Sequence, residues 1–461
     1  MSQDLTPHAP RTASPAGKPG PAAPQAAPGR AMAAALLGFF LITLDASVVN
    51  VALPAIGDDL HGGLSALQWV VDGYTLAFAA LMLSTGALSD RIGAGRAFAG
   101  GVLVFALSSL ACGVAPGLGV LVVARVVQGS AAAVMLPSSL ALVRQAHPDP
   151  VRRTRAISLW ATGGSTAVAL GPVVGGVLTT AWDWRSVFYV NLPFAAVTLV
   201  LARGARGERR PAPLDVPGQV TAVLALGALT YAVIEGGTRG WAAAGVAVAA
   251  GAAFVRAETR HPHPVVPLGL FRSGAFSASV AAGAAISVAF FGMFFVLGLY
   301  FQQVRGETAL TAGLMFLPMT LLISTVNVLS GRATNRFGPR LPMVAGQLVM
   351  VAGLLALLPV GRHTPPLAVA FLMVPLGVGG ALAVPALTAS VMGAAPAERA
   401  GVAAGVLNAA RQVAGALSVA VFGSLVAGSR FLPGLRESLL VSAALVLAAA
   451  AATAVTLRPR A

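Results

Sequence analysis

The sequence predicts an all-α polytopic membrane protein built from two related six-span halves, with two further spans inserted between them. Three observations carry this. The chain is 57% hydrophobic and only 10% charged, against about 25% charged residues in soluble domains. Its apolar runs are repeatedly about 20 residues long, enough to cross roughly 30 Å of hydrocarbon. Finally, three motifs recur at nearly one offset. GALSDRIG at 86–93 reappears as GRATNRFG at 331–338, 245 positions on; Gly129 and Pro137 reappear as Gly377 and Pro385, 248 on; Pro150-Val-Arg-Arg reappears as Pro396-Ala-Glu-Arg, 246 on. Helices are preferred over a barrel because barrel strands give short alternating segments of about ten residues, and these runs do not alternate.

Taken in order, residues 1–30 are rich in Pro, Ala and Gly and read as a disordered tail. They lack the charged start and small-residue cleavage site of a signal peptide, so the first span is expected to be retained. Apolar runs follow at 31–53, 67–88, 97–115, 118–143, 156–180 and 187–202, giving a first bundle over 31–202. A linker over 203–276 carries two extra runs, 216–236 and 240–256. Six more, at 277–301, 311–331, 341–360, 367–391, 402–427 and 437–457, form a second bundle over 277–457, and 458–461 is a short end. This is a fourteen-span expectation.

Net charge is +15, and the only lysine is Lys18. The location of this charge argues against nucleic acid as a partner. Arg91, Arg96, Arg152, Arg153, Arg155, Arg203, Arg332, Arg336 and Arg340 fall in the tails and alternate short loops, as the positive-inside rule requires. Both termini are therefore expected to be cytoplasmic. Trp69, Trp182, Trp184 and Trp241 fall at the opposite span ends and suggest an aromatic belt. The single cysteine, Cys112, excludes an internal disulfide and a multi-cysteine metal site.

Several motifs stand in order on successive spans. They are Leu44-Asp45-Ala46-Ser47-Val48-Val49-Asn50-Val51-Ala52-Leu53-Pro54 on the first, Gly86 to Arg96 after the second, Arg125-Val-Val-Gln128-Gly129 on the fourth, and Gly171-Pro172-Val-Val-Gly175-Gly176 on the fifth. Together they resemble the fourteen-span drug–proton antiporter branch of the major facilitator superfamily, over roughly residues 31–457. Two positions depart from that pattern: Ser47 stands for the usual threonine, and Ala167 for a glycine four residues before Gly171. The resemblance implies the major facilitator fold, with two pseudo-symmetric six-helix bundles. It further implies a bacterial cytoplasmic-membrane exporter of small, largely hydrophobic drugs or antibiotics, driven by proton antiport. No cofactor is implied; protons are the coupling ion. The expected partners are a small-molecule substrate, protons and the lipid bilayer, with the chain acting as a monomer. A uniporter or importer, or a dedicated exporter of a self-made product, is the alternative.

The membrane-embedded charges are the first site candidates. Asp45, Asp72 and Arg125 lie roughly 12, 8 and 10 Å below the outer span ends at 1.5 Å per residue. A charge at mid-helix costs at least about 2.5–3.5 kcal/mol on insertion scales. Three at one depth are best explained by mutual pairing. Two carboxylates sharing one guanidinium would titrate as a unit, which suits a proton-coupling site. The alternative is a structural salt bridge between Asp45 and Arg125. The position equivalent to Asp45 in the second half is Phe291, so proton handling is expected in the first half alone.

Gly86, Asp90, Arg91, Gly93 and Arg96 form a tight turn, which the resemblance reads as a conformational latch; plain loop topology explains the arginines but not Asp90 or the glycines. Gln128 and Gly129 belong to the fourth-span motif. Gly171, Pro172, Gly175 and Gly176, the antiporter motif, allow close helix approach, with or without a gating role. Substrate-cavity candidates are Phe291, Phe294, Phe295 and Gln302 on the ninth span, Asn327 on the tenth, and Asn408 and Arg411 on the thirteenth. The aromatics suit an adaptable apolar site or a lipid-facing or core position equally well. Arg411 has no acid near it in its own half; it either attracts an anion or closes against the first half. An enzyme is disfavoured. The only lysine lies in the tail, so no Walker A lysine exists, and all six histidines lie in loops or the tail, so no metal site is expected.

Overall fold

The computed structural model describes residues 28–147, 149–205, 215–261, 264, 266–396, 400–427 and 431–457. The expectations for residues 1–27 and for 458–461 fall outside this set. Pro28 to Arg30, assigned to the tail from sequence, instead open the first helix, with proline in the first turn where its missing N–H costs nothing.

The helices are α1 (Pro28–Asp59), α2 (Leu64–Ile92), α3 (Ala94–Gly113), α4 (Leu118–Ala146), α5 (Pro150–Ala181), α6 (Ser186–Tyr189), α7 (Asn191–Ala202), α8 (Val216–Glu235), α9 (Gly237–Arg260), α10 (Gly274–Leu299), α11 (Ala309–Met315), α12 (Leu317–Phe337), α13 (Arg340–Ala356), α14 (Pro366–Leu372), α15 (Val374–Ala394), α16 (Ala400–Leu425) and α17 (Phe431–Thr456). No strand occurs among the described residues. Side-chain caps mark several starts: Asp149 accepts from Arg152 N, Asp215 from Gly218 N, and Ser273 from Phe276 N.

Every apolar run has a helical counterpart among the described residues, though not each is a full-length span. Among the described residues, eleven helices are long and apolar enough to cross a membrane, or 12 if α11 and α12, bent by 43°, form one span. Ser186–Ala202 and Arg340–Ala356 are shorter. Proline accounts for three interruptions. Pro193, Pro318 and Pro375 follow within three residues of the breaks at Val190, Phe316 and Met373, and each lacks the N–H that a continuous helix would use. In contrast, α1 continues through Pro54 to Asp59, past the expected end at Leu53.

The two halves repeat their packing. In the first, α1 packs on α5, α4 and α7, α2 on α4, and α3 on α4 and α7; in the second, α10 packs on α16, α15 and α17, α12 on α15, and α13 on α15 and α17. Repeat equivalents also share local geometry. Gly93 ends α2 at φ 93° and Gly338 ends α12 at φ 77°, a region open mainly to glycine. A Cβ at Gly129 would overlap the Tyr74 carbonyl of α2, and one at Gly377 would lie 2.5 Å from Met319 Cγ of α12.

The halves meet where α2 packs on α16 and α5 packs on α11 and α12. Since α2 and α16 run antiparallel, the start of α1 and the end of α17 lie at the same end of the bundle, here the proximal end. Among the described residues, the hydrogen bonds joining the halves lie toward the distal end: Gln68 Nε2 donates to the carbonyls of Val419 and Ala420, and Gln302 Nε2 to that of Val51. The inserted pair α8–α9 leans on the α2–α16 seam. It is peripheral: only Gly218, Thr230 and Ile234 of α8 and Gly240, Ala247 and Glu258 of α9 are buried.

Trp182 and Trp241 are exposed, at 74% and 80%, as a belt requires. Trp184 is not part of that belt. It is buried, and its indole N–H donates to Asp59 Oδ2 at 3.0 Å.

Candidate functional site

Asp45 stands on α1, 0% exposed, and side chains of α4 and α7 reach its carboxylate. Arg125 Nη1 of α4 donates to Oδ2 at 2.6 Å. Gln128 Nε2, one turn along α4, donates to Oδ1 at 2.9 Å, and Asn191 Nδ2 of α7 donates to the same oxygen at 2.8 Å. Asn191 also donates to Ser109 Oγ of α3 at 2.9 Å. The placement of Gln128 follows from helical spacing, since residues three apart share a face.

The guanidinium is equally well enclosed. Arg125 Nε donates to the Val70 carbonyl of α2 at 3.0 Å, and Nη1 also donates to Gln128 Oε1 at 2.9 Å. Tyr74 places its ring 4.2 Å beneath the guanidinium carbon, a cation–π contact, and Phe188 is 5.9 Å away. Charge-assisted bonds of this length are the strong ones. One negative and one positive charge, paired and held by polar neighbours, make a site that is neutral as a whole while its acid is ionised.

Asp72 does not join this site. It is 0% exposed, and both of its carboxylate oxygens lack a hydrogen-bond partner. The expectation of two acids sharing Arg125 is therefore corrected to one. The reason is azimuth rather than depth. Asp72 lies one turn from Gln68, whose amide reaches α16, whereas Tyr74 and Val70, on another face of α2, meet Arg125.

The glycine motif of α5 permits close approach on two sides. A Cβ at Gly175 would lie 2.7 Å from the Val48 carbonyl of α1, and one at Gly171 would overlap Ser47. On the other side, a Cβ at Gly176 would lie 2.6 Å from the Ala309 carbonyl of α11, and one at Gly313 would overlap the Pro172 carbonyl. The motif thus holds α1 against α5 and also brings the halves together distally.

The turn between α2 and α3 is built on Gly93, whose N–H bonds Ser89 O and whose carbonyl accepts from Arg96 N. Arg91 and Arg96 are exposed and Gly86 is half-buried. The Asp90 side chain lies outside the described residues, so the acid expected to work the latch has no structural account.

The cavity candidates separate. Phe294 and Phe295 are core residues, 6% and 2% exposed, and Phe294 packs on Phe316 at a centroid distance of 4.4 Å. Gln302 ties the halves together through Val51. Phe291 and Asn327 are half-buried, Asn408 is exposed, and Arg411, half-buried, donates from Nε to Ser287 Oγ at 3.3 Å. A separate apolar cleft of about 230 Å³ lies between the inserted pair and the α2–α16 seam, lined by Ala79, Leu226, Phe254, Val406 and Val413 among others, away from the Asp45 cluster.

Sequence reasoning missed Asn191, Ser109 and Tyr74. The one available signal for Asn191 was a buried-type polar residue beside Pro193 in an apolar run. Among the described residues, no group of three metal-ligating side chains could hold an ion.

Comparison with known proteins agrees with this architecture. Residues 35–419 match the family described as Major Facilitator Superfamily. The chain is 39% identical over 394 residues to the "Methylenomycin A resistance protein" of Streptomyces coelicolor, covering 84% of this chain and 83% of that one. It is 40% identical over 403 residues to the "Multidrug resistance protein Stp" of Mycobacterium tuberculosis, covering 85% and 74%. It is 35% identical over 410 residues to the "Tetracenomycin C resistance and export protein" of Streptomyces glaucescens, covering 87% and 76%. Among solved structures, the peptide transporter POT in complex with sulfate superposes with a TM-score of 0.71 at 16% identity, covering 92% and 94%. A bacterial homologue of the human lysosomal transporter Spinster, in an inward-facing and occupied conformation, gives 0.67 at 14%, covering 94% and 97%.

Proposed function

The chain belongs to the major facilitator superfamily, as a multi-pass membrane transporter and not an enzyme, and from that premise we propose that it exports small, largely hydrophobic drugs or antibiotics in exchange for protons. Its relatives' names, resistance and export proteins, support the direction and the substrate class. The positive-inside pattern supports insertion in the bacterial cytoplasmic membrane with both termini, and hence the proximal end, on the cytoplasmic side.

The observation that carries the coupling is the buried Asp45–Arg125 pair, 2.6 Å apart and wholly enclosed. While Asp45 is ionised, the two charges cancel. When it takes a proton, Arg125 loses its counter-charge and keeps only Gln128, the Val70 carbonyl and the Tyr74 ring. The junction of α1, α3, α4 and α7 then loosens. One proton therefore exchanges one arrangement of these helices for another, which a carrier that alternates between two openings needs. Gly171, Gly175 and Gly176 give α5 the close contacts along which such a shift can be passed to the second half, and the Gly86–Arg96 turn serves as the latch at the cytoplasmic end.

The test uses inside-out vesicles without ATP. An imposed proton gradient should drive uptake of an exported compound, and a protonophore should abolish it. Uptake that needs ATP and survives the protonophore would refute the reading. Uptake indifferent to the gradient would favour a uniporter.

A further inference from the structure

Two arginines, Arg125 and Arg411, stand within the spans of the two halves, and they differ in one respect. Arg125 is paired with Asp45, whereas Arg411 has no carboxylate within 4.0 Å among the described residues. Its one hydrogen bond there is from Nε to Ser287 Oγ. A guanidinium has five N–H donors in a flat fork, so the two Nη groups remain open. The side chain is half-buried rather than sealed, although Arg411 sits at the middle of α16.

The faces of α16 show where that opening lies. One face packs on α10. Leu407 Cδ1 and Arg411 Cγ stand nearest to Gly283, Gly415 meets Phe291, and Gly292 meets Phe422. Another face meets α2 through the Val419 and Ala420 carbonyls and Gly423, all against Gln68. At 100° per residue, Asn408 and Gln412 lie between these two faces, about 60° and about 100° around the helix from Arg411. Asn408 is exposed and Gln412 half-buried. Val406, Ala409 and Val413 instead face the inserted pair. The polar stripe of Asn408, Arg411 and Gln412 therefore lines the wedge between α10 of one half and α2 of the other.

Resting on the exporter reading above, we propose that Arg411, with Asn408 and Gln412, recognises an anionic group, best a carboxylate, on the exported compound. The planar fork matches a carboxylate bidentately, and the two amides add neutral donors beside it. Phe291, half-buried against Gly415 one turn along, offers an aromatic face to an apolar body. The substrate class is thus an apolar molecule bearing one negative charge rather than a lipophilic cation. Asp72 is the acid on α2 that could otherwise answer Arg411. It lies one turn from Gln68, which meets α16 at Val419 and Ala420, two turns distal of Arg411.

The test measures binding without a gradient, in purified protein reconstituted in nanodiscs. The probes are benzoate, 2-naphthoate and anthracene-2-carboxylate, each paired with its methyl ester. The wild type should bind at least one acid at least tenfold more tightly than its ester. Arg411→Gln should lose that preference while still binding the ester, which shows that it is folded; Arg411→Lys should keep part of it. No acid preference in the wild type, or an unchanged preference in Arg411→Gln, overturns the inference. A double variant, Arg411→Gln with Asp72→Asn, separates the alternative pairing: if removing Asp72 restores acid binding, Arg411 serves the seam and the inference fails. If acid binding depends on Arg411 but no probe moves under a proton gradient, the inference stands and the exporter reading falls.

Discussion

Asn191 Nδ2 donates to Asp45 Oδ1 at 2.8 Å, joining residues 146 positions apart in the chain. The same amide also donates to Ser109 Oγ at 2.9 Å, so one side chain fixes the acid of α1 against α3 and α7 together. The acid is therefore held on both oxygens, by Arg125 on one and by two neutral amides on the other.

Removing that amide should misplace Asp45 without removing it. Asn191→Leu is expected to lower gradient-driven export at least about tenfold, since a hydrogen bond to a charged group contributes roughly 1.5–3 kcal/mol. Asn191→Gln should recover part of it. Transport by equal amounts of reconstituted protein checks this, and unchanged export in Asn191→Leu would remove Asn191 from the site.

Asp72 and Asp45 should respond oppositely to neutralisation. Among the described residues nothing pairs with Asp72, so Asp72→Leu should leave the thermal midpoint in detergent level or raise it. Asp45→Leu strands the Arg125 guanidinium in a sealed space, and breaking a buried pair from one side costs about 3–5 kcal/mol. Its midpoint should fall clearly. Equal destabilisation by both would mean that Asp72 has an ionic partner.

Much of this was legible in the chain. Depth along a helix can be counted, so Asp45 and Arg125 were found from their positions alone. Azimuth cannot be counted without knowing the neighbours, and so Asp72 was drawn into the cluster while Asn191, whose partner lies on a distant helix, was not. Phe294 and Phe295 pose a related problem: an aromatic side chain suits a cavity wall and a packed core alike, and the sequence does not show that Phe294 packs on Phe316. The glycines of α5 were legible as sites of close approach, but not that Gly176 faces the other half. Pro193 and Pro318 interrupt runs that composition alone reads as continuous.

Gly176 offers a steric test of the distal seam. A Cβ there would lie 2.6 Å from the Ala309 carbonyl and 2.7 Å from Leu310 Cα, backbone atoms that cannot rotate away. Gly176→Ala should push α5 from α11 and favour conformations open at the distal end. Spin labels at Thr180 and Gln303, read by double electron–electron resonance, should show a longer-distance population. An unchanged distribution with normal transport would show that this contact does not help set the balance between openings.

In the proposed exchange, Asp45 carries the coupling proton. Asp45→Asn preserves shape and the neighbouring amides but cannot exchange a proton. Equal amounts of wild type and variant are reconstituted, and exchange of substrate for substrate is compared with uphill transport under a proton gradient. Asp45→Asn should retain exchange and lose uphill transport. A variant that still concentrates substrate against its gradient, or one that loses exchange and uphill transport in equal measure, would contradict it.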